Sequence, residues 1–556
     1  MNKKVCSFPI LFALLALLIG TCAVVFPASA QAAPTSTGSI TVSGTVASSY
    51  DAYQIFSANV VDGDSDAKIA TDLAWASDAV RDAALPVLHS AGMPNSQTTA
   101  QEAAEWLNTD SHLTSALSAQ LARSLQSSGA VFVALNAGTT AELPCGYWLI
   151  VADDDAIAQG EAGTAPIMAL VGGSAVTVKP KAATPKVSKH VLEDGTAAWQ
   201  KAADATVADD LYWRLSATVP AGLTAYDTYT VRFVDTMSAG LDPSKVAASM
   251  RVYVAAGADG GFDAVPAGKD GRAGTEPAKG WTDITAQCAT KVAADGKTFT
   301  VRTGDLIAAL GGADAFTAGA RVVAVYNAPL NSACNHGIAK GNPNEVYLRY
   351  PRSPFADQSG DAGFTRTPSD DACAYTWDLA LTKRGSDGDK PLAGAVLSIA
   401  DDRGRTLAAD GTWDAEGKAT VTTGEDGRVT VSGVDSGKLE VRELKAPKGY
   451  TAFEGTRSVT VKAEGLDVDQ VVAAKPKLTI TAESPLRADS ADGSTGSLEA
   501  SLINTPTGTP PSITTGGFMP STGDRTLVLV AVLAAIGVAA IVVALVIKRG
   551  GGRREK

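Results

Sequence analysis

The chain has 556 residues, 45% of them hydrophobic and 19% charged, with a net charge of −12. An acidic surface of this kind argues against nucleic acid as a partner. His89, His112, His190 and His336 show no metal-ligand spacing, and neither a Gly-rich phosphate loop nor a trustworthy Ser/His/Asp arrangement is present, so no metal, no cofactor and no catalysis on a soluble substrate is expected.

Taken in order, Met1-Asn2-Lys3-Lys4 carries positive charge, residues 8–26 are mostly apolar, and Ala28-Ser29-Ala30 offers small residues for cleavage. That pattern predicts an export signal over residues 1–30. Thr21 before Cys22 makes a poor lipobox. Export leaves Cys145, Cys288, Cys334 and Cys373 in an oxidising compartment, where four cysteines allow three pairings. Cys288 with Cys334 is favoured, because both fall in one expected domain. Cys145, in Leu143-Pro144-Cys145-Gly146-Tyr147, has as its alternative a thioester of the kind seen in some surface adhesins.

The mature chain predicts a mainly β protein, built from tandem immunoglobulin-like sandwiches. Residues 31–180 open with alternating strands at 39–46 and 52–56, pass into Ala/Leu-rich helical spacing at 78–89, 99–107 and 111–125, and return to strands at 131–133 and 146–151. This is a β domain with helical insertions. Residues 181–356 carry short alternating runs at 211–220, 229–235, 322–326 and 345–350, bounded by Gly, Pro or Asn, which indicate a second sandwich. A third is expected over 374–506. Between the first two lies Val176-Thr177-Val178-Lys179-Pro180-Lys181-Ala182-Ala183-Thr184-Pro185-Lys186-Val187-Ser188-Lys189, an extended linker whose prolines form no ladder bonds. Downstream of the signal segment only Lys68 precedes these four lysines, a distribution that suggests amine chemistry.

After a Pro/Thr/Gly-rich stalk at 507–518 come Met519-Pro520-Ser521-Thr522-Gly523, an uncharged run at 527–547 and a basic tail at 548–556. The run would measure about 31 Å as a helix at ~1.5 Å per residue, enough to span a bilayer core, and the tail places the C-terminus in the cytoplasm. Pentapeptide, apolar span and tail resemble the cell-wall sorting signal of Gram-positive surface proteins, L-P-x-T-G in its usual form, with Met519 in place of Leu. The resemblance then becomes more specific. Lys189, Asp235 in Phe233-Val234-Asp235-Thr236-Met237, and Asn344 in Gly341-Asn342-Pro343-Asn344-Glu345 resemble the D2 isopeptide domain of sortase-assembled fimbrial subunits. Lys383, Glu443 in Glu443-Leu444-Lys445-Ala446-Pro447-Lys448-Gly449-Tyr450, and Asn504 resemble a Cna B-type domain. Val176-Thr177-Val178-Lys179-Pro180-Lys181 is similar to the pilin motif, with Lys179 where the family has Tyr.

The resemblance to a Gram-positive major pilin implies a structural shaft subunit of a fimbria that supports adhesion, anchored to peptidoglycan at the cell surface. A sortase would cut between Thr522 and Gly523 and pass the acyl group to Lys181 of an identical neighbouring subunit; it names neither the minor pilins nor a receptor. It also implies isopeptide bonds Lys189–Asn344 and Lys383–Asn504, with Asp235 and Glu443 as catalytic acids in a single-turnover reaction. Asn342 and Asn331 compete with Asn344 as acceptor. Physical chemistry supports such triads independently: burial lowers a lysine pKa and frees the amine as a nucleophile, while it raises that of a carboxylic acid, which then polarises the amide. Closing either loop removes roughly 5 kcal/mol of denatured-state freedom. The rival reading, a monomeric wall-anchored adhesin, shares the sorting signal and the Cna B-type domain but needs no nucleophilic Lys181.

Overall fold

The computed structural model describes residues 36–508, except 45, 65–66, 110, 181–183, 222, 258–279 and 472–473. The expected signal segment, Lys181, sorting motif and apolar span lie outside them. Among the described residues no helix is long and apolar enough to cross a membrane. Residues 1–504 form one compact unit and 505–556 a second. The described chain is mainly β, and its sheets follow one another in pairs.

The first pair joins a three-stranded sheet, Thr140–Pro144, Thr37–Val42 and Val176–Val178, to a five-stranded one centred on Ser49–Asp62 and Gly146–Ala152. Every residue of Gly146–Ala152 is buried, because both faces of that strand are covered. Trp148 and Ile150 face the smaller sheet, whereas Tyr147, Leu149 and Val151 meet the helices α1 (Asp78–Ser90), α2 (Ala100–Asn108) and α3 (Ser115–Ser128). Caps explain where these helices start. Ser77 accepts from the Val80 amide, Thr99 and Glu102 form a reciprocal capping box, and Thr114 accepts from the Leu117 amide. That last cap moves the third helix four residues past its expected start at 111. Gly129 closes it in the left-handed conformation at φ 68°.

The second pair is a six-stranded sheet, with Val187–Glu193 between Ala198–Gln200 and Tyr212–Thr218, and a seven-stranded sheet containing Arg232–Met237, Asn342–Pro351 and Asp370–Tyr375. Here the expected boundary at 356 needs correction. Phe364–Arg366 and Asp370–Tyr375 both pair with Asn342–Pro351, so the second sandwich runs on to about Tyr375. The polar, Gly-containing stretch 357–363 is a loop between strands of one sheet. The core between the two sheets is large and aromatic, with Trp213, Tyr229, Phe233, Phe299, Tyr326 and Tyr350 all buried.

The third pair places Trp377–Gly385 between Arg428–Val434 and Ser497–Pro506 in one sheet, and Val396–Ala400, Gly437–Lys445 and Thr456–Glu464 together in the other. Trp377–Gly385 runs parallel to Ser497–Pro506, with Lys383 opposite Leu502 and Gly385 opposite Asn504. The first and last strands of this region are therefore neighbours.

Candidate functional site

Lys189 has no solvent-exposed surface. Period-two alternation aims it inward from Val187–Glu193, between the rings of Trp213 and Tyr326, each centred 5.4 Å from Nζ. Asp235 and Asn344 enter from the opposite sheet. Asp235 pairs with Val346 and Met237 with Asn344 across adjacent antiparallel strands, so the two polar side chains are diagonal neighbours on one face. Lys189 Nζ contacts Asp235 Oδ2 directly and donates to the Tyr326 hydroxyl at 2.9 Å. The same hydroxyl receives Asn344 Nδ2 at 2.8 Å and lies 3.1 Å from Asp235 Oδ2.

Burial dominates the electrostatics of this cluster. It pulls the Lys189 ammonium down to about 8, against the opposing pull of Asp235, and it pushes the Asp235 carboxyl up, against the pull of Lys189 and Tyr326. Both shifts favour the neutral forms, an amine and a carboxylic acid. Asp235 Oδ1 and Asn344 Oδ1 are buried without hydrogen-bond partners, the condition that a proton on the acid would relieve.

The competing asparagines are engaged elsewhere. Asn342 accepts from the Asn335 amide at 2.8 Å and donates to the Asn335 and Ala374 carbonyls, while Asn331 donates to the carbonyls of Ala239 and Leu241. The sequence reading missed two groups. Lys201, also buried, contacts Asp370 and donates to the Lys189 carbonyl at 2.9 Å, and Asp370 accepts from the Lys189 amide at 2.6 Å. This pair pins the Lys189 strand to Asp370–Tyr375. Tyr326 was the other omission; its signal was a lone phenol ending the aliphatic run Val322-Val323-Ala324-Val325, since a buried tyrosine needs a partner for its hydroxyl.

The third sandwich assembles the same three functional groups differently. Lys383 and Asn504 come from neighbouring strands of one sheet and Glu443 from the other, all three side chains buried. Lys383 Nζ contacts Asn504 Oδ1 and lies 3.2 Å from Glu443 Oε1. Asn504 Nδ2 donates to both Glu443 oxygens, at 2.9 and 3.1 Å, so the acid faces the amide nitrogen. The Phe453 amide also donates to Glu443 Oε2, at 3.1 Å, which fixes the carboxyl. Burial again lowers the lysine to about 8.

The cysteine expectation fails in the structure. Cys145, Cys288, Cys334 and Cys373 are all free thiols. Cys288 Sγ donates to the Ile284 carbonyl, and Cys334 Sγ sits 3.6 Å from His336 Nε2, so Cys288 and Cys334 each bond to local groups instead of to one another. Cys145 is buried against Gly172, with Gln54 donating to its carbonyl oxygen at 3.1 Å. Lys179 and Lys186 of the linker are exposed. Among the described residues no group of His, Cys, Asp and Glu is disposed to hold a metal ion.

Residues 378–475 match the family described as the SpaA prealbumin-like fold domain. The trypsin-resistant surface T6 protein of Streptococcus pyogenes serotype M6 is 30% identical over 143 residues, which are 24% of this chain and 24% of that protein. The chain thus spans about a quarter of the length of the curated relative it matches. Among solved structures, the T6 backbone pilin of S. pyogenes is similar at TM-score 0.46 and 17% identity, covering 85% of this chain and 98% of the other. The major pilin SpaD of Corynebacterium diphtheriae is similar at TM-score 0.40 and 16% identity over the same shares of the two chains, 85% and 98%. Residues 378–475, which form most of the third sandwich, are thus similar to a SpaA-type prealbumin-like domain, in a chain whose other similarities are to a streptococcal surface protein and to Gram-positive backbone pilins.

Proposed function

We propose that this chain is the repeating shaft subunit of a covalently polymerised cell-surface pilus, with a Lys–Asn isopeptide bond in each of its second and third sandwiches. The observation that carries this reading is the twofold occurrence of a buried lysine, carboxyl and asparagine in one cluster, Lys189/Asp235/Asn344 bridged by the Tyr326 hydroxyl and Lys383/Glu443/Asn504 in direct contact. A buried ion pair would need no asparagine, and two chance repetitions on different strand layouts are a poor alternative. In each sandwich the neutral amine attacks the asparagine Cγ, the acid stabilises the tetrahedral adduct, and the Cγ–Nδ2 bond breaks. One proton moves from Nζ to Nδ2 and ammonia leaves. The acid is unchanged at the end, and the site turns over once.

Polymerisation uses the segments at either end of the two sandwiches. Sortase breaks the Thr522–Gly523 peptide bond and the Lys181 amine of the next subunit takes the Thr522 acyl group; the last subunit is passed to peptidoglycan. Lys181→Ala is expected to abolish the ladder of species that survives boiling in SDS while monomer stays on the wall. A ladder that persists would move the acceptor to Lys179 or Lys186, both exposed. Absence of any ladder from the unmodified chain would leave the monomeric adhesin.

The bond also predicts a pH signature. In Asn344→Ala, Lys189 stays a free amine whose folded pKa, about 8, lies below its ordinary value of 10.5. The unfolded chain then binds more protons between those values, so the stability of the variant rises as pH increases from 8 to 10.5. In the parent chain Lys189 is an amide nitrogen and does not titrate. Melting temperatures at pH 7.5 and 10 should therefore diverge between the two proteins, and parallel profiles would show that Lys189 is unbonded in both.

A further inference from the structure

We infer that Tyr326 is a catalytic residue of the second sandwich, relaying the proton from the attacking amine of Lys189 to the departing nitrogen of Asn344. The inference rests on the isopeptide reading above and adds a group to it. The geometry is specific: the hydroxyl lies 2.9 Å from Lys189 Nζ, 2.8 Å from Asn344 Nδ2 and 3.1 Å from Asp235 Oδ2, so it touches the nucleophile, the leaving group and the acid at once. No water-exposed group can substitute, since Lys189, Asp235, Asn344 and Tyr326 are all sealed from solvent.

The proton balance explains why such a group is needed. As Nζ bonds to Asn344 Cγ it acquires a formal positive charge and must lose a proton, while Nδ2 becomes a tetrahedral amine with a lone pair and must gain one before it departs. A hydroxyl between them accepts the first proton and gives up its own, ending as it began. Asp235 is then released for a different task. Its unpartnered Oδ1 and the unpartnered Asn344 Oδ1 lie on one face of adjacent strands, so the acid serves the carbonyl while the phenol serves the nitrogens. Tyr326 is held for this role by the edge of Phe299, ring centroids 4.8 Å apart, and burial keeps its hydroxyl protonated.

The third sandwich shows what happens without a phenol. There Glu443 itself receives Asn504 Nδ2 on both oxygens and lies 3.2 Å from Lys383 Nζ, so one carboxyl spans nucleophile and leaving group. The two sandwiches divide the same proton transfer between different groups.

Tyr326→Phe deletes one oxygen and leaves the ring contacts in place. General acid–base groups contribute about 10²–10⁴-fold, so newly synthesised Tyr326→Phe ectodomain should form the Lys189–Asn344 link at least about 100-fold more slowly than the parent. The readout is intact mass over time, with the cross-linked peptide identifying which bond has formed. The bond in the third sandwich should form at the parental rate and serves as the internal control for folding. A full mass deficit in freshly made Tyr326→Phe, with the Lys189–Asn344 peptide present, overturns the inference. A parent chain lacking that peptide instead overturns the isopeptide reading itself. As a second variant, 3-fluorotyrosine at position 326 keeps the hydroxyl and the packing but makes the phenol more acidic. It should close the bond at an altered rate with a shifted pH profile, and a rate and profile identical to the parent would equally refute the relay.

Discussion

The ectodomain, freed of its signal and anchoring segments, is expected to weigh about 34 Da less than its sequence, because each of two isopeptide bonds expels one ammonia of about 17 Da. The structure holds free thiols, so disulfides add nothing to the deficit. Glu443→Ala should restore about 17 Da and Asp235→Ala about another 17 Da, since each acid meets only the lysine of its own sandwich and serves one bond. A mass equal to the uncorrected sequence would remove both bonds from the reading at once. The stability effect should be as large. Losing a closed loop of this length restores roughly 5 kcal/mol of denatured-state freedom, which for a domain of this size corresponds to a melting temperature lower by roughly 10–20 °C. Each acid variant also leaves a buried lysine whose carboxyl partner is gone, which costs further stability. Asp235→Ala should therefore lower the transition of the second sandwich and Glu443→Ala that of the third, each without moving the other.

How much of this was legible in the sequence differs between elements for physical reasons. Alternation marked the strands that line the cores, while Lys189 and Lys383 were named by the resemblance; the structure explains their inward aim, because a strand that buries Val191 also buries the residue two positions away. Helix spacing located α1, α2 and α3, but the start of α3 depended on which of Ser111 and Thr114 could cap, and only Thr114 aligns its hydroxyl with the amide three residues on. The boundary at 356 went wrong because Asp370-Asp371-Ala372-Cys373-Ala374-Tyr375 is acidic at its start and follows a Gly/Ser/Asp loop. Its acidic end is nonetheless held inside by Lys201, a partner 169 positions away in the chain. Tyr326 escaped notice for a similar reason. Nothing local distinguishes a tyrosine that merely fills a core from one whose hydroxyl meets three polar side chains brought from three other strands.

Limited proteolysis should remove the first region well before the other two. Force applied along the proposed polymer enters at Lys181, crosses the link between Lys189 and Asn344 and then that between Lys383 and Asn504, and leaves at Thr522, so residues 36–178 lie outside the loaded path. They also lack the covalent device. Lys68, their only lysine before the linker, spends its ammonium on the carbonyls of Gly172 and Ser174 and on Asp62, with no asparagine among its partners in the described residues. Bonds between the first region and the second include Arg123 to the Ala225 carbonyl at 2.9 Å and to Asp227 at 3.1 Å, Tyr350 to the Gly160 carbonyl at 2.8 Å, the Gly160 amide to the Thr365 hydroxyl at 2.9 Å, Arg352 to the Asp154 carbonyl at 3.1 Å, and the Gly163 amide to the Arg352 carbonyl at 2.6 Å. The second and third are joined by charged bonds as well. Arg405 grips Asp209 with two bonds of 2.5 and 2.7 Å, and Asp204 accepts Trp377 Nε1 at 2.6 Å and the Ser436 hydroxyl at 2.5 Å from across the junction. Within the first region the turn after α3 exposes Val131, Phe132 and Val133, an accessible apolar site for a protease of matching specificity. Opening of this region costs only its own local stability, whereas opening of either sandwich would have to work against the proposed covalent loop. The expected product is a resistant fragment beginning near Lys181 and containing both sandwiches, with the first region lost at temperatures where the fragment still shows its own cooperative transition. A first region that outlasts the two sandwiches would mean that the cross-links do not set the order of unfolding, and would contradict the proposed path of force.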